Sequence, residues 1–166
     1  MSKTSPRPVD EMEKIVNTYG DMLFRLCLVM LTNSSDAEDA IQETMLTYLQ
    51  KAPAFRDAEH QKAWLITVAT NKCKDILRFR TRHPVVSAEN TTENSGIFTK
   101  DTSNSGILEA LMTLPEKFRL VLILYYVEEY PMKDIARIIG KTTSAVKMRL
   151  QKGRKLLLEI YQKEYM

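Results

Sequence analysis

A stretch near the C-terminal end carries side chains whose types and spacing suit contact with a polyanion. At about 100° per residue on a helix, Ser144, Lys147, Met148, Gln151, Arg154 and Lys155 share an outward arc. Val146, Leu150 and Leu157 share a narrow opposite arc and are expected to pack inward. Such a surface does no covalent chemistry. Lys and Arg neutralise phosphates, and a Gln amide can read an adenine edge. A lone basic helix is as readily a solvated face. Here it is preceded by Ile135, Ala136 and Ile139 on a short helix, by Gly140 at a turn, and by Thr143 or Ser144 as N-cap. That order is a helix-turn-helix, whose second helix fits the major groove.

A second group lies between residues 62 and 82. Thr67, Asn71, Lys74, Asp75, Arg78 and Arg82 fall within roughly a quarter turn, broadly opposite Leu65, Val68, Ala69, Cys73 and Ile76. Trp64 stands at the helix start, with Phe55 and His60 in the preceding segment. Basic groups near aromatics suit single-stranded nucleic acid, where phosphates are tracked and bases stack. Trp64 reads first as a core residue at a loop–helix junction, and stacking on a base is the alternative. A third group, Asp36, Asp39, Gln42 and Glu43, forms an acidic row that Leu46 extends with an apolar anchor. Docking to a basic helix of a partner fits this row better than metal binding, which no His or further acidic helix supports.

Helices must position all three groups. Helical spacing runs through residues 8–31, 36–51 and 62–82, with a break at Asn33–Asp36, a stop at Pro53 and a polar loop over 54–61. Residues 83–106 are rich in Ser, Thr, Asn and Gly and read as a flexible linker. Beyond it, helices are expected over 107–114, from Pro115 to about 128, from Pro131 to Gly140, and from Thr143 to at least Leu158. The expected fold is all-α: a domain over 1–82, the linker, and a helix-turn-helix domain over 107–166.

Hydrophobic residues make up 44% of the 166 residues, enough for burial to drive folding. The net charge of +3 is small, but its distribution is not even. Residues 36–43 hold four acids and no base, whereas 141–155 hold six bases and no acid. That segregation suggests one surface for a basic partner and another for a polyanion. No apolar run spans a bilayer and no signal peptide is visible, so a cytosolic protein is expected. Cys27 and Cys73 sit in apolar helical patterns and read as buried, reduced thiols. No zinc site, Gly-rich phosphate loop or Cys–His pair is apparent, which argues against an enzyme, a metal and a small-molecule cofactor.

These residues resemble an extracytoplasmic-function sigma factor, the minimal branch of the sigma-70 family. DAEDAIQETMLTYLQ resembles the helix that binds the clamp helices of the polymerase β′ subunit. AFRDAEHQKAWLITVATNKCKDILRFRTR resembles the segment that captures and melts the minus-ten element. LPEKFRLVLILYYVEEYPMKDIARIIGKTTSAVKMRLQKGRKLL resembles the minus-thirty-five reader. The resemblance implies that Asp39, Gln42 and Glu43 contact the clamp. It implies that Asn71 and the loop from Arg56 to Lys62 hold a flipped minus-ten base, with Arg78 along the nontemplate strand. Lys147, Met148, Gln151 and Lys152 would face the minus-thirty-five groove. Many relatives have a small polar residue where Met148 stands, and often a Gly near Glu129; Met can touch a thymine methyl but makes no strong hydrogen bond.

The expected partners are core polymerase (β′ clamp helices and β flap), promoter DNA as duplex and as nontemplate single strand, and an anti-sigma factor. No small-molecule substrate is expected. A stand-alone helix-turn-helix regulator is the alternative; it predicts tight duplex binding without polymerase.

Overall fold

The computed structural model describes residues 9–83 and 105–165, and residues 84–104 of the linker expected over 83–106 lie outside them. Seven helices and no strand occur among the described residues. The chain separates into two compact units, 1–88 and 89–166.

The first unit holds α1 (Val9–Leu31), α2 (Ser34–Lys51) and α3 (Ala58–Arg82), each packed on the other two. Leu23, Leu26, Leu28, Met30, Tyr48, Leu65 and Ile66 are fully buried and form its core. Burying side chains of this size stabilises by roughly 1.5–3 kcal/mol each before chain entropy is subtracted. The α1–α2 connection takes only Thr32 and Asn33. Thr32 adopts φ 55°, and its N–H donates to the Leu28 carbonyl at 2.8 Å. Asn33 then caps α2 by accepting from the Asp36 N–H at 2.9 Å.

Helix α3 begins at Ala58, four residues before the expected start at Lys62. Its N-cap is Asp57, whose Oδ1 accepts from the His60 N–H at 2.7 Å. The first turn, Ala-Glu-His-Gln, is mostly polar, so apolar periodicity did not reveal it; the cap did the ordering. Tyr48 and Gln61 hold this start in place. The Tyr48 hydroxyl donates to Glu11 Oε1 at 2.8 Å, and Gln61 Nε2 donates to the Tyr48 oxygen at 3.0 Å.

The second unit holds α4 (Ser105–Thr113), α5 (Glu116–Tyr126), α6 (Met132–Ile139) and α7 (Thr143–Tyr165). Helix α4 starts two residues inside the segment expected to be linker. Helix α5 is central: Phe118 to Leu124 are all buried. Helix α7 packs on α4, α5 and α6. Gly153 lies on its inner face, where a Cβ would stand 3.3 Å from Phe118 Cβ and from a Leu122 methyl. The missing side chain brings α7 close to α5. Gly140 ends α6 at φ 68°, and Lys141 N–H donates to the Ala136 carbonyl at 3.0 Å, a Schellman-type closure.

Glu129 also adopts a left-handed conformation, φ 57°, after α5. An L side chain there costs roughly 1–2 kcal/mol, part of which a Gly returns as unfolded-state entropy. Glu129→Gly should therefore stabilise the second unit by about 0.5–1 kcal/mol, read as a thermal midpoint raised by a few degrees. An unchanged or lowered midpoint would mean that contacts of the exposed Glu129 side chain outweigh its backbone strain.

Candidate nucleic-acid and partner interfaces

The inner side of α2 is small or hydrogen-bonded. Ala37, Ala40, Thr44 and Tyr48 are buried, and the Thr44 hydroxyl donates to the Ala40 carbonyl at 2.7 Å. The outer side presents Asp39, Gln42 and Glu43 to solvent with Leu46, which is 49% exposed. Asp36, on the same helix, is half-buried. Its carboxylate is paired with Arg80 of α3, whose Nε donates at 3.0 Å and whose Nη2 donates as well. Arg80 Nη1 donates to the Leu31 carbonyl at 2.9 Å. Asp36 thus holds the end of α3 against the α1–α2 turn, with about a third of its side chain still open to solvent. Arg80→Ala should destabilise the fold by on the order of 1–2 kcal/mol, because a half-buried carboxylate and a carbonyl lose their donor. Denaturant titration checks this; an unchanged midpoint would make the bridge a surface ornament.

The loop before α3 is shorter than expected, covering residues 53–57. Arg56 is exposed, and its backbone N–H donates to His60 Nδ1 at 3.2 Å. His60, in the first turn of α3, and Lys62, just after it, are half-buried on the helix and not in a loop. The His60 ring meets Phe55 edge-on at 5.3 Å. Trp64 packs edge-on against Tyr48 and Phe55, each at 5.8 Å between ring centroids. Trp64 is half-buried at the loop–helix junction. The cluster fixes how the 53–57 loop leaves the core.

Along the rest of α3, Asn71, Arg78 and Arg82 are exposed and Lys74 is half-buried. Arg78 Nη1 pairs with Asp75 Oδ1 at 3.2 Å, an exposed contact one turn apart. Such a pair orients the guanidinium more than it stabilises the helix. Phe79, missed in the sequence, is 60% exposed beside these residues and stacks on His83. Periodicity hid it, since Phe79 falls between Val68 and Leu65 on the helix wheel and so reads as part of the apolar arc. The buried face carries Cys73, whose thiol is pushed far up by a hydrogen bond with Cys27 and by burial. Both thiols are free and buried and serve as packing.

On α7, Thr143, Ser144, Lys147, Met148, Gln151, Lys152, Arg154 and Lys155 are all exposed. Val146, Leu150 and Gly153 are buried opposite, and Leu157 is half-buried. The N-cap is neither Thr143 nor Ser144. Thr142 Oγ1 accepts from the Ala145 N–H at 3.1 Å, which leaves Thr143 and Ser144 in the first turn with their side chains outward. Met148, 70% exposed, stands at the crest. Arg154 and Lys152 flank it. Arg154 Nη1 donates to the Tyr126 hydroxyl at 2.9 Å, and Lys152 Nζ lies 5.8 Å from the Phe118 ring centre. Both cations are steadied against α5 while Lys147, Gln151 and Lys155 project freely.

No group of His, Cys, Asp or Glu among the described residues is arranged to hold a metal ion. No helix among them is long and apolar enough to cross a membrane.

Comparisons with known proteins agree with this layout. Residues 15–83 match the family described as sigma-70 region 2, and residues 105–157 match sigma-70 region 4. The ECF RNA polymerase sigma factor SigW of Bacillus subtilis is 27% identical, across 89% of this chain and 87% of that protein. The ECF sigma factor SigM of Mycobacterium tuberculosis is 27% identical, across 89% of this chain and 76% of that protein. Among solved structures, the sigma factor RpoE of Bartonella quintana, in complex with the anti-sigma factor NepR, superposes with a TM-score of 0.71. It is 20% identical, over 94% of this chain and 99% of that one. CnrH, in complex with the cytosolic domain of CnrY, gives 0.67 at 19% identity, over 95% and 91%. Proteins of this family are not in general enzymes. Two matched regions in the expected order, on a fold shared with solved members, identify the chain as an extracytoplasmic-function member of the sigma-70 family, an RNA polymerase sigma factor.

Proposed function

We propose a division of labour among three helices. The exposed row of Asp39, Gln42, Glu43 and Leu46 on α2 docks on the β′ clamp helices of core polymerase. The loop over 53–57 and the outer face of α3, from Lys62 through Asn71, Lys74, Arg78 and Arg82, grip the unpaired nontemplate strand at the minus-ten element. The crest of α7, from Thr143 and Ser144 through Lys147, Met148, Gln151 and Lys155, enters the major groove at minus thirty-five, with Lys152 and Arg154 on flanking phosphates. The observation that carries this reading is the segregation of exposed charge: acid with an apolar anchor on α2, cations on α3 and α7.

The mechanism is thermodynamic. The second unit anchors duplex DNA and, with the β flap, holds the upstream promoter. The first unit binds the melted state more tightly than duplex and so shifts the equilibrium toward it. Extruding a base costs a few kcal/mol, which pocket contacts and stacking offset. Nucleotidyl transfer stays with the polymerase, in the cytoplasm, and this chain performs no covalent step. The complexes of RpoE with NepR and of CnrH with CnrY support a corresponding anti-sigma partner here. Run-off transcription with core polymerase and a promoter library tests the whole reading. Initiation dependent on this chain at a subset of promoters is expected; no initiation at any promoter would overturn it.

A further inference from the structure

We propose that the exposed ring of Phe79 is a stacking site for an unpaired base of the nontemplate strand, outside the residues assigned above to minus-ten recognition. The proposal rests on the reading of α3 as a single-strand surface. Phe79 is 60% open to solvent, more than the exposed Tyr126 at 54%. Leaving that much apolar area in water on a rigid helix is unfavourable unless something covers it.

The ring is held, not loose. It lies 4.2 Å from the His83 ring centre with 20° between the planes. His83 is itself anchored: its backbone N–H donates to the Phe79 carbonyl at 2.9 Å, and its Nδ1 lies 3.1 Å from that same oxygen. One face of Phe79 is therefore occupied and the side chain pre-ordered, which lowers the entropy cost of receiving a flat partner on the open side. Five residues C-terminal to the Cys73 packing position, the helix also projects Arg78, and one turn on from it Arg82, both exposed. Asp75 steers the Arg78 guanidinium. From Asn71 the helix turns by roughly 80° to reach Phe79, so the ring borders the cationic arc without sitting in it.

Cations beside a fixed, open aromatic face favour one occupant. A polyanion whose repeating unit carries a π-face satisfies both, and single-stranded DNA is that polymer. An apolar protein segment would cover the ring but offer no anion to the neighbouring Arg78 and Arg82. Duplex DNA would satisfy the arginines but offers no free base face.

The test uses holoenzyme assembled with wild-type, Phe79→Ala or Phe79→Trp chain. The probe is fork-junction DNA with an unpaired nontemplate minus-ten segment, scanned base by base with 2-aminopurine. Phe79→Ala should weaken fork binding about tenfold, as loss of a single base stack does. One 2-aminopurine position should lose its quenching, and Phe79→Trp should retain both affinity and quenching. Binding to core polymerase and to fully duplex minus-thirty-five DNA should not change. Wild-type fork affinity in Phe79→Ala, with a loss in Asn71→Ala and Arg78→Ala, would overturn the stack and leave the α3 reading standing. No loss in any of the three would overturn both. A loss confined to core or anti-sigma binding would overturn the stack and assign the ring to a protein partner.

Discussion

Core polymerase should fail to retain the chain once Asp39 and Glu43 are both changed to Lys, with affinity lowered by roughly a hundredfold or more. Both carboxylates are exposed, and neither has an ion pair among the described residues. They stand four residues apart on α2, so the wild type already bears a like-charge pair, and a Lys–Lys pair repels to a similar small extent. Lys also matches Glu in helix propensity. The fold should therefore survive, and unchanged circular dichroism with an unchanged melting midpoint is the control. What changes is the field offered to a partner. Charge complementarity becomes like-charge juxtaposition, which costs several kcal/mol at a desolvated contact. Leu46→Ala should give a smaller loss, since it removes an apolar anchor without repulsion. A pull-down with undiminished binding by the double reversal would remove α2 from the docking role. Reversing Asp36 is the informative contrast. It should lower stability through Arg80, and any loss of polymerase binding should follow the loss of fold.

The second large effect belongs to α7. Lys147→Ala with Gln151→Ala should weaken minus-thirty-five duplex binding by roughly tenfold to several hundredfold. A good Gln–adenine contact discriminates by about 1–3 kcal/mol, and a Lys–phosphate contact adds a counterion-release contribution that falls with salt. The plot of log affinity against log salt should flatten by about one unit through the Lys alone. Both positions are fully outward, and Ala is the strongest helix former, so α7 should stay intact. Met148→Ala should do less and should act only where a thymine methyl lies beneath it. Wild-type-like binding across the salt range would assign the basic face of α7 to solvent.

Much of the molecule could be read before its structure. Long apolar periodicities located α1, α2, α5 and α7, and Gly140 located the turn, because these signals are local and repeat over several turns. The exposed faces of α2 and α7 followed from the same arithmetic, since a helix whose inner arc is apolar must show its other arc to water. The segregation of acid from base needed no coordinates at all.

Other features needed the third dimension. Asp36 and Arg80 are 44 residues apart, and no local pattern says that an acid in a charged row has an internal partner. That Trp64 lies edge-on to Tyr48 and Phe55 could not be read from its place in the chain. The start of α3 at Ala58 and the cap at Thr142 each turned on one side-chain hydrogen bond among several candidates in a polar run. Gly153 became a contact point only when Phe118 and Leu122 were found opposite it. Periodicity along the chain determines which side of each helix is wet, because burial is a property of the helix face. Which polar group is spent inside the fold and which is left for a partner depends on neighbours distant in sequence, and only tertiary packing decides it.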